Sequence, residues 1–451
     1  MRTSFRAANH IRVLASIVLV LLASSCSRSL PTAPVHERER GGANDPFAVV
    51  GLENQVVVTL APGADADQIA AQYGATVVKG DENERCVAFR PLSGLAPATL
   101  MSQLVADGRI VTAEPNGWIA PAETRQQSFA FDDGFGNDHT YLEQDATGVL
   151  GLAQAQLVAT GKGVKVAIID TGADMHHPVL RDHIVGGWDF VGNDPDPSEQ
   201  RNNLTYNSVV DGAYGHGTHV AGIVRLVAPD AQLLIVRALN SDGRGDLVSV
   251  ASGVRWAVAH GAKVINLSLG TQAEKDALQD VLEEAELQGV IVVAALGNWG
   301  ADPNDATKST VDFPGSSSHA FGISAADVDT IPAAFSSFNR SDALLAAPGI
   351  GIRSAFPGGG YKLWSGTSMA APWVTGTAAL LAEKHPDWNM DMMKVRLQGT
   401  ATPIVKVPVI GPQPRDYGAG MLNIAKALAP DFVPAANQVP VPEEIVPHRP
   451  R

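Results

Sequence analysis

The sequence predicts an α/β protein in which a parallel sheet is covered by helices on both faces and is preceded by a small α+β unit. From about residue 164 onwards, short apolar runs alternate with longer segments of helical periodicity. Strands that alternate with helices form parallel sheets with both faces covered. The expected strands are residues 164–169, 233–236, 264–269 and 290–295, and the expected helices are residues 247–260 and 273–288.

Residues 47–120 predict the small unit that precedes this sheet. A β-α-β-β-α-β order fits their apolar pattern, and this order is typical of ferredoxin-like α+β folds. The pattern places strands at residues 55–60, 86–89 and 110–114 and helices at residues 67–73 and 98–106.

The composition limits the classes of partner. Of the 451 residues, 45% are hydrophobic, which is ample for a large buried core. The formal net charge is -14 and no stripe rich in lysine and arginine interrupts it, so the chain repels phosphate backbones. We therefore expect no nucleic-acid partner.

Residues 1–25 have the pattern of a signal peptide. Arginines precede an apolar run at residues 13–23, which is too short to span a bilayer but long enough for the core of a signal peptide. We therefore expect the protein to be exported.

Cys26 follows small residues at positions 23–25, and this arrangement is similar to the lipobox of bacterial lipoproteins. That resemblance implies that Cys26 becomes a lipidated N-terminus and holds the protein on a membrane surface of the cell envelope, unless it is later released extracellularly. Ordinary cleavage beside an incidental cysteine is the alternative. Cys86 is the only other cysteine, so a lipidated chain can form no intramolecular disulfide.

Three further segments lack hydrophobic periodicity. Residues 26–46 are rich in Ser, Pro, Glu, Arg and Gly and predict a flexible tether. Residues 121–145 are rich in turn-forming residues, and residues 431–451 form a proline-rich tail.

A serine, a histidine and an aspartate that could act together lie at the ends of expected helices or strands. Ser368 lies where a glycine-hinged turn leads into an apolar helix, which is expected to present an exposed hydroxyl. A serine hydroxyl needs a nearby imidazole to take its proton, and His216 opens the run His-Gly-Thr-His-Val-Ala-Gly. Asp170 ends an expected strand, where its carboxylate would hold the imidazole in place.

These motifs, in the order Asp, His, Ser, resemble those of the subtilisin-like serine proteases from about residue 151 to residue 429. The resemblance implies a subtilisin-like fold and a serine endopeptidase that hydrolyses peptide bonds through an acyl-enzyme, without a cofactor. It also implies that Asp170, His216 and Ser368 form a catalytic triad. Asn298 matches the asparagine whose side chain helps to stabilise the oxyanion.

The resemblance also implies substrate contacts. Two segments match those that line the primary specificity pocket, and because they carry no carboxylate we expect no preference for dibasic sites. Trp299 either shapes this pocket or packs under a loop, and residues 242–246 resemble the loop that pairs with an extended substrate strand. The expected pocket residues are Ser268, Leu269, Gly270, Ala295, Leu296 and Gly297.

Residues 47–120 resemble the pro-domains of subtilases, which inhibit the protease and assist its folding. The chain is then a zymogen with an activation linker at residues 121–145 and a catalytic domain at residues 146–430. A cut is expected before residues 141–144, which resemble the start of many subtilase catalytic domains. A permanent ferredoxin-like interaction domain is the alternative.

No metal site is expected. The calcium-binding loop that many subtilisins insert after the helix of the catalytic histidine is missing, and Val179 replaces the aspartate that accompanies it. Asp194, Asp196 and Glu199 form an acidic turn whose spacing matches no calcium loop. We interpret this turn as a solvated loop.

The sequence leaves two other functions open. A surface anchor would also suit a dedicated processing protease for one partner protein or leader peptide. A catalytically silent binding protein with the same fold is disfavoured, because it has no chemical reason to keep Asp170, His216, Asn298 and Ser368 together. The expected partners of the enzyme are protein or peptide substrates and its own pro-domain.

Overall fold

The computed structural model describes residues 52, 54–80, 85–125, 128–201, 211–404 and 415–430. These residues belong to one unit, Val49–Arg451. The expected signal peptide, the tether with Cys26 and the tail at residues 431–451 lie outside the described residues, as do residues 126–127 of the expected linker.

The first described elements form a four-stranded antiparallel sheet with two helices. The sheet has the strand order β2-β3-β1-β4. The expected elements are found within two residues of their predicted ends, and the structure adds the strand β2. The elements are β1 (Val56–Leu60), α1 (Ala66–Gln72), β2 (Ala75–Gly80), β3 (Cys86–Pro91), α2 (Pro97–Leu104) and β4 (Ile110–Pro115).

The next elements lead from this small sheet into the large sheet and form its first half. Asp246 caps the helix α8 by accepting a hydrogen bond from the backbone N–H of Ser249 at 3.0 Å. The elements are β5 (Trp118–Ile119), α3 (Ala122–Arg125), α4 (Asp138–Leu142), α5 (Asp145–Val149), α6 (Leu152–Gln156), β6 (Lys165–Asp170), β7 (Ile184–Asp189), α7 (His216–Val227), β8 (Gln232–Arg237), β9 (Gly245–Asp246), α8 (Leu247–Ala259) and β10 (Val264–Leu267).

The remaining elements complete the large sheet and its helical layers. The helix α10 is long and almost wholly buried, and it contains Pro372. Proline cannot donate a hydrogen bond to the carbonyl of Ser368 four residues earlier, and this oxygen accepts one from Ser268 Oγ at 2.8 Å instead. The elements are α9 (Asp276–Leu287), β11 (Ile291–Ala295), β12 (Phe321–Ala326), β13 (Ala343–Pro348), β14 (Ile352–Phe356), β15 (Gly360–Trp364), α10 (Thr367–Lys384), α11 (Met390–Thr400) and α12 (Ile424–Leu428).

The large sheet has seven parallel strands in the order β13-β12-β11-β10-β6-β8-β7. Neighbouring residues of β6 face opposite sides, as the strand geometry requires. Val166 and Ile168 pack in one hydrophobic core with α7 and α10, whereas Ala167 and Ile169 pack in a second core with α8 and α9. The predicted fold class, a parallel sheet with helices on both faces, is confirmed.

The small sheet packs against the helices α8 and α9. Val57 of β1 belongs to the same hydrophobic core as those helices, so β1 is buried on both faces. Glu114 accepts a hydrogen bond from the backbone N–H of Ala277 at 2.8 Å, and Asn116 accepts one from Leu247 at 3.3 Å. The first N–H groups of a helix have no partner within the helix, so the small sheet supplies acceptors to the starts of both helices.

A buried ion pair joins the ends of β7 and β8. Arg237 Nη1 lies 2.6 Å from Asp189 Oδ2, and both side chains are almost fully buried. Asp189 Oδ1 also accepts hydrogen bonds from the backbone N–H groups of Val191 and Gly192. This carboxylate therefore supports a strand end and the turn that follows it.

Replacing Asp189 by alanine is expected to destabilise the fold by about 3–5 kcal/mol, because the Arg237 charge then stays buried without its partner. Urea unfolding of the chain with and without Asp189→Ala would measure the difference. Asp182→Ala, which removes a pair between two exposed side chains, is the control and should leave the midpoint unchanged. Equal effects of the two substitutions would contradict the assignment.

Within the described ranges, no helix is both long and apolar enough to cross a membrane.

Candidate active site

Asp170 and His216 meet at the carboxyl end of β6. Asp170 Oδ1 lies 2.8 Å from His216 Nδ1, and both side chains are fully buried. The carboxylate also accepts the backbone N–H of Thr171 at 2.7 Å. Because Nδ1 is bound to the carboxylate, the ring presents Nε2 to the cleft. Among the described residues, Nε2 has no hydrogen-bond partner.

Glycine positions His216 at the start of α7. Gly215, the residue before the helix, has a φ of 89°, which a residue with a side chain rarely adopts. A Cβ atom at this position would also lie 2.5 Å from the ring of Phe356. The glycine is therefore needed both for the backbone turn and for the close packing.

Ser368 lies in the first turn of α10, as the motif predicts, but its side chain is not exposed. The residue is fully buried, because the side chain of Glu123 lies over it. Ser368 Oγ lies 2.6 Å from Glu123 Oε2, to which it donates, and 3.2 Å from the backbone oxygen of Ser268. The expectation of an exposed hydroxyl is wrong for the intact chain.

The other carboxylate oxygen of Glu123 accepts two hydrogen bonds. One comes from Asn298 Nδ2 at 2.9 Å and the other from the backbone N–H of Ser368 at 3.2 Å. Asn298 Oδ1 accepts from both the N–H and the hydroxyl of Thr367, each at 2.9 Å. These contacts aim the amide NH₂ group of Asn298 at the cleft, so two donors converge on one point beside Ser368.

Sequence reasoning missed Glu123. The only local signal is a single acidic residue directly after the short, mainly apolar run at residues 118–122. Its position follows from the preceding strand: β5 pairs antiparallel with β9, and Ala120 exchanges two backbone hydrogen bonds with Gly270, at 3.1 and 2.9 Å. Within the loop at residues 242–246, β9 thus pairs with an extended strand of this chain, whereas the prediction concerned a substrate strand.

The expected pocket residues lie around the start of α10. The structure ends β10 at Leu267, so Ser268 begins the loop after it, and Ser268 Oγ donates to the backbone oxygen of Ser368 at 2.8 Å. Gly297 donates its N–H to the hydroxyl of Thr367 at 3.2 Å. Leu269, Gly270, Ala295 and Leu296 are buried beside them.

A carboxylate from another stretch also borders this region. Asp312 is almost fully buried, and Cβ atoms added at Gly270 and Gly297 would each lie within 3 Å of it. Trp299 Nε1 donates to Asp312 Oδ1 at 3.0 Å, which ties the half-buried indole to this site. The prediction of no preference for dibasic sites rests on two segments that lack a carboxylate, and Asp312 lies in neither of them.

The charges in the cleft are strongly coupled. Burial lowers the pKa of His216, but the carboxylates of Asp170 and Glu123 outweigh this effect and raise it to about 10. Burial raises the pKa of Glu123, but the nearby His216 cation and the hydrogen bonds from Ser368 and Asn298 bring it below its ordinary value. In the intact chain at neutral pH, His216 is therefore an imidazolium beside an ionised Glu123.

His219 has a different environment one turn along α7. Its Nε2 atom lies 3.1 Å from the backbone oxygen of Ile352. Burial and the neighbouring His216 cation lower its pKa to about 3. His219 is therefore neutral at physiological pH and joins α7 to β14.

No group of three or more His, Cys, Asp or Glu side chains among the described residues is placed to hold a metal ion. Asp196 of the acidic turn is exposed. The Glu199 carboxylate instead accepts a hydrogen bond from the hydroxyl of Thr171 at 2.9 Å.

The chain is similar to proteins of a known family. A profile of the Subtilase family matches residues 161–423. The chain is 36% identical to subtilisin NAT of Bacillus subtilis subsp. natto over 305 residues, 64% of this chain and 74% of that protein. It is 37% identical to subtilisin BL of Lederbergia lenta over 277 residues, 59% of this chain and 91% of that protein.

A solved structure shares the fold. It is the crystal structure of fervidolysin from Fervidobacterium pennivorans, described as a keratinolytic enzyme related to subtilisin. The TM-score is 0.66 at 23% sequence identity, and the match covers 83% of this chain and 61% of that one.

Proposed function

Because the chain belongs to the subtilase family of subtilisin-like serine endopeptidases, we propose that it hydrolyses peptide bonds with Asp170, His216 and Ser368 as its catalytic triad. One observation carries this proposal. A single carboxylate accepts hydrogen bonds from Ser368 N, Ser368 Oγ and Asn298 Nδ2, with His216 Nε2 at 3.7 Å. Two of these groups, the N–H of Ser368 and the amide of Asn298, are the donors that an oxyanion beside an attacking serine requires.

The roles follow from the chemistry of these groups. Ser368 Oγ attacks the substrate carbonyl carbon while His216 Nε2 takes its proton and passes it to the leaving amine. Asp170 stabilises the imidazolium, and the N–H of Ser368 and the amide of Asn298 donate to the oxyanion. Water then hydrolyses the acyl-enzyme on Ser368 by the same steps. Ser268–Gly270 and Ala295–Gly297 bind the substrate beside this centre.

We also propose that the protein is made as a zymogen with residues 47–120 as its inhibitory pro-domain. The contacts of Glu114 and Asn116 with the starts of α9 and α8 support this role, as does the strand β5 that lies in the cleft. A permanent interaction domain would keep β5 in place and the enzyme inactive.

Export as a lipoprotein anchored through Cys26 belongs to the same proposal. The support is the apolar run at residues 13–23 and the small residues before Cys26. A substrate restricted to one partner or leader peptide remains the second candidate, since a surface anchor limits which substrates the enzyme meets.

Fluorophosphonate labelling of the chain from residue 27 onwards, followed by intact mass, tests the triad and the zymogen together. We expect the wild type to lose its N-terminal part and to take up one label, because an activated serine reacts with this probe. Ser368→Ala should show neither change. A folded wild type that takes no label, even after an added protease has trimmed it, would favour a silent binding protein.

A further inference from the structure

The backbone register indicates which peptide bond an extended strand would present to Ser368. Ala120 pairs antiparallel with Gly270 through two backbone hydrogen bonds. In an antiparallel pair, two steps forward on one strand match two steps back on the other. An extended chain would therefore place Ala122 opposite Ser268, whose backbone oxygen lies 3.2 Å from Ser368 Oγ. In that extended form, the bond after Ala122 would be the one presented to the nucleophile.

The chain does not continue in this extended form. It turns into α3 at Ala122, and the side chain of Glu123 enters the cleft. A Cβ atom at Gly366 would collide with this carboxylate, so the glycine before α10 makes the space for it. Glu123 is fully buried, and its oxygens occupy the donors of Ser368 and Asn298 that a substrate oxyanion would need.

The same contact disables the nucleophile. Ser368 Oγ donates its hydrogen bond to Glu123, and His216 Nε2 has no hydrogen-bond partner among the described residues. An imidazolium with Nε2 already protonated cannot accept the serine proton. The occupied donors and the protonated base both keep the intact chain from reacting.

We propose that the Ala122–Glu123 peptide bond is the site of self-processing and that the Glu123 carboxylate holds the reaction back until it leaves the oxyanion site. This inference rests on the proposed serine protease function. Ala122 and Glu123 lie in the expected activation linker, well before the cut that was expected near residue 141.

The reaction is an ordinary hydrolysis within one chain. Once Glu123 has left, Ser368 Oγ bonds to the carbonyl carbon of Ala122 and His216 takes the hydroxyl proton. The bond between that carbon and the Glu123 nitrogen breaks, and His216 gives the proton to the new amine. Water then attacks the acyl-enzyme: His216 takes one of the water protons and gives it to Ser368 Oγ, and Ala122 leaves as a carboxylic acid that ionises. Glu123 becomes the N-terminus of the mature enzyme.

The charged groups around His216 make the inhibition by the Glu123 carboxylate depend on pH. Asp170 of β6 and Glu123 of α3 face the ring, the neutral His219 lies on its own helix, and Glu199 lies beyond Thr171. The pKa of His216 is raised to about 10. Asp170 stays beside the ring when Glu123 leaves, so only the pairing of the imidazolium with Glu123 stabilises the blocked state, and this stabilisation is present at neutral pH. It declines as the pH rises and is lost above about 10, which frees the base.

The test is a time course of self-processing after dilution of the chain, from residue 27 onwards, out of denaturant. Intact mass and N-terminal sequencing identify the cut in the wild type, Glu123→Gln, Glu123→Ala and Glu143→Gln. Glu143 is an exposed carboxylate on the same linker and serves as the matched control. Ser368→Ala defines the background without self-processing.

We expect a new N-terminus at residue 123 in every active form. Glu123→Ala should process at least about tenfold faster than the wild type near neutral pH, since losing one charged hydrogen bond is worth that much or more. Glu143→Gln should match the wild type. The wild-type rate should rise between about pH 7 and 10, and in Glu123→Gln the rise should shift to lower pH because His216 loses one carboxylate neighbour.

Two results would overturn the assignment: a wild-type cut at another bond, or a Glu123→Ala chain that processes no faster than Glu143→Gln. The wild-type cut needs no substitution, so the proposal stays testable if Glu123→Ala fails to fold. Brief trypsin treatment distinguishes a wrong processing site from an absence of serine protease activity. If the trimmed wild type takes the fluorophosphonate label, only the processing site is wrong; if folded, trimmed protein takes none, both proposals fail.

Discussion

Replacement of His216 by alanine is expected to lower kcat of the mature enzyme by about a millionfold, the loss found when the corresponding histidine is removed from subtilisin itself. The physical reason is that no other base lies at Ser368 among the described residues. Within these residues, its hydroxyl donates to Glu123 and to a backbone oxygen, and Glu123 is expected to leave the cleft on activation. KM should change little, because the imidazole acts during proton transfer and not in holding the substrate.

The measurement needs mature protein, and the variant cannot process itself. Both the wild type and His216→Ala would therefore be trimmed with the same added protease before peptide hydrolysis is measured. His176→Ala, on the exposed loop after β6, is the control and should retain full activity. A loss of less than about a hundredfold in His216→Ala would assign the base to another residue, because general-base catalysis alone contributes that much.

The periodicity of the sequence was sufficient to predict the central strands of the large sheet. Residues 164–169 and 290–295 were predicted as strands, and the structure has Lys165–Asp170 and Ile291–Ala295. Buried strands are short, continuous apolar runs, and their signal is local. The outer strand β7 was not predicted, because its run contains Gly186 and Gly187 and is only half-buried.

The candidate site was predictable where its residues lie in motifs. Asp170, His216, Asn298 and Ser368 were located from the residues around each of them. The structure brings His216, Asn298 and Ser368 together around one carboxylate, and Asp170 is hydrogen-bonded to His216. That carboxylate belongs to Glu123, which lies 245 positions from Ser368 in the chain. Neither periodicity nor a motif reports a contact over that separation. The pairing of β5 with β9 and of the next residue with Gly270 places Glu123 in the cleft. This register depends on the packing of segments that are distant in the sequence.

The burial of Ser368 was missed for the same reason. A glycine-hinged turn before a helix predicts an exposed hydroxyl from local residues alone. Whether the cleft in front of that hydroxyl is open depends on another part of the chain. Here residues 118–125 fill the cleft, so the prediction of exposure is wrong.

Replacing Asn298 by alanine is expected to lower kcat by about 100- to 1,000-fold with little change in KM, the range known for the corresponding donor of subtilisin. The amide NH₂ group of Asn298 lies 2.9 Å from the Glu123 oxygen that occupies the oxyanion position. A donor aimed at this point stabilises a charge that exists only during the reaction, so its loss raises the barrier without weakening substrate binding.

Asn298 also has a structural contact, and a second variant separates the two effects. Its Oδ1 atom accepts from the N–H and hydroxyl of Thr367, which opens the helix α10. Asn298→Asp keeps that acceptor but has no N–H to donate, and its negative charge lies near the oxyanion. If the donor is what matters, Asn298→Asp loses at least as much activity as Asn298→Ala. If Asn298→Asp stayed close to wild type, the side chain would act by holding Thr367 in place, and the oxyanion would depend on the N–H of Ser368 alone.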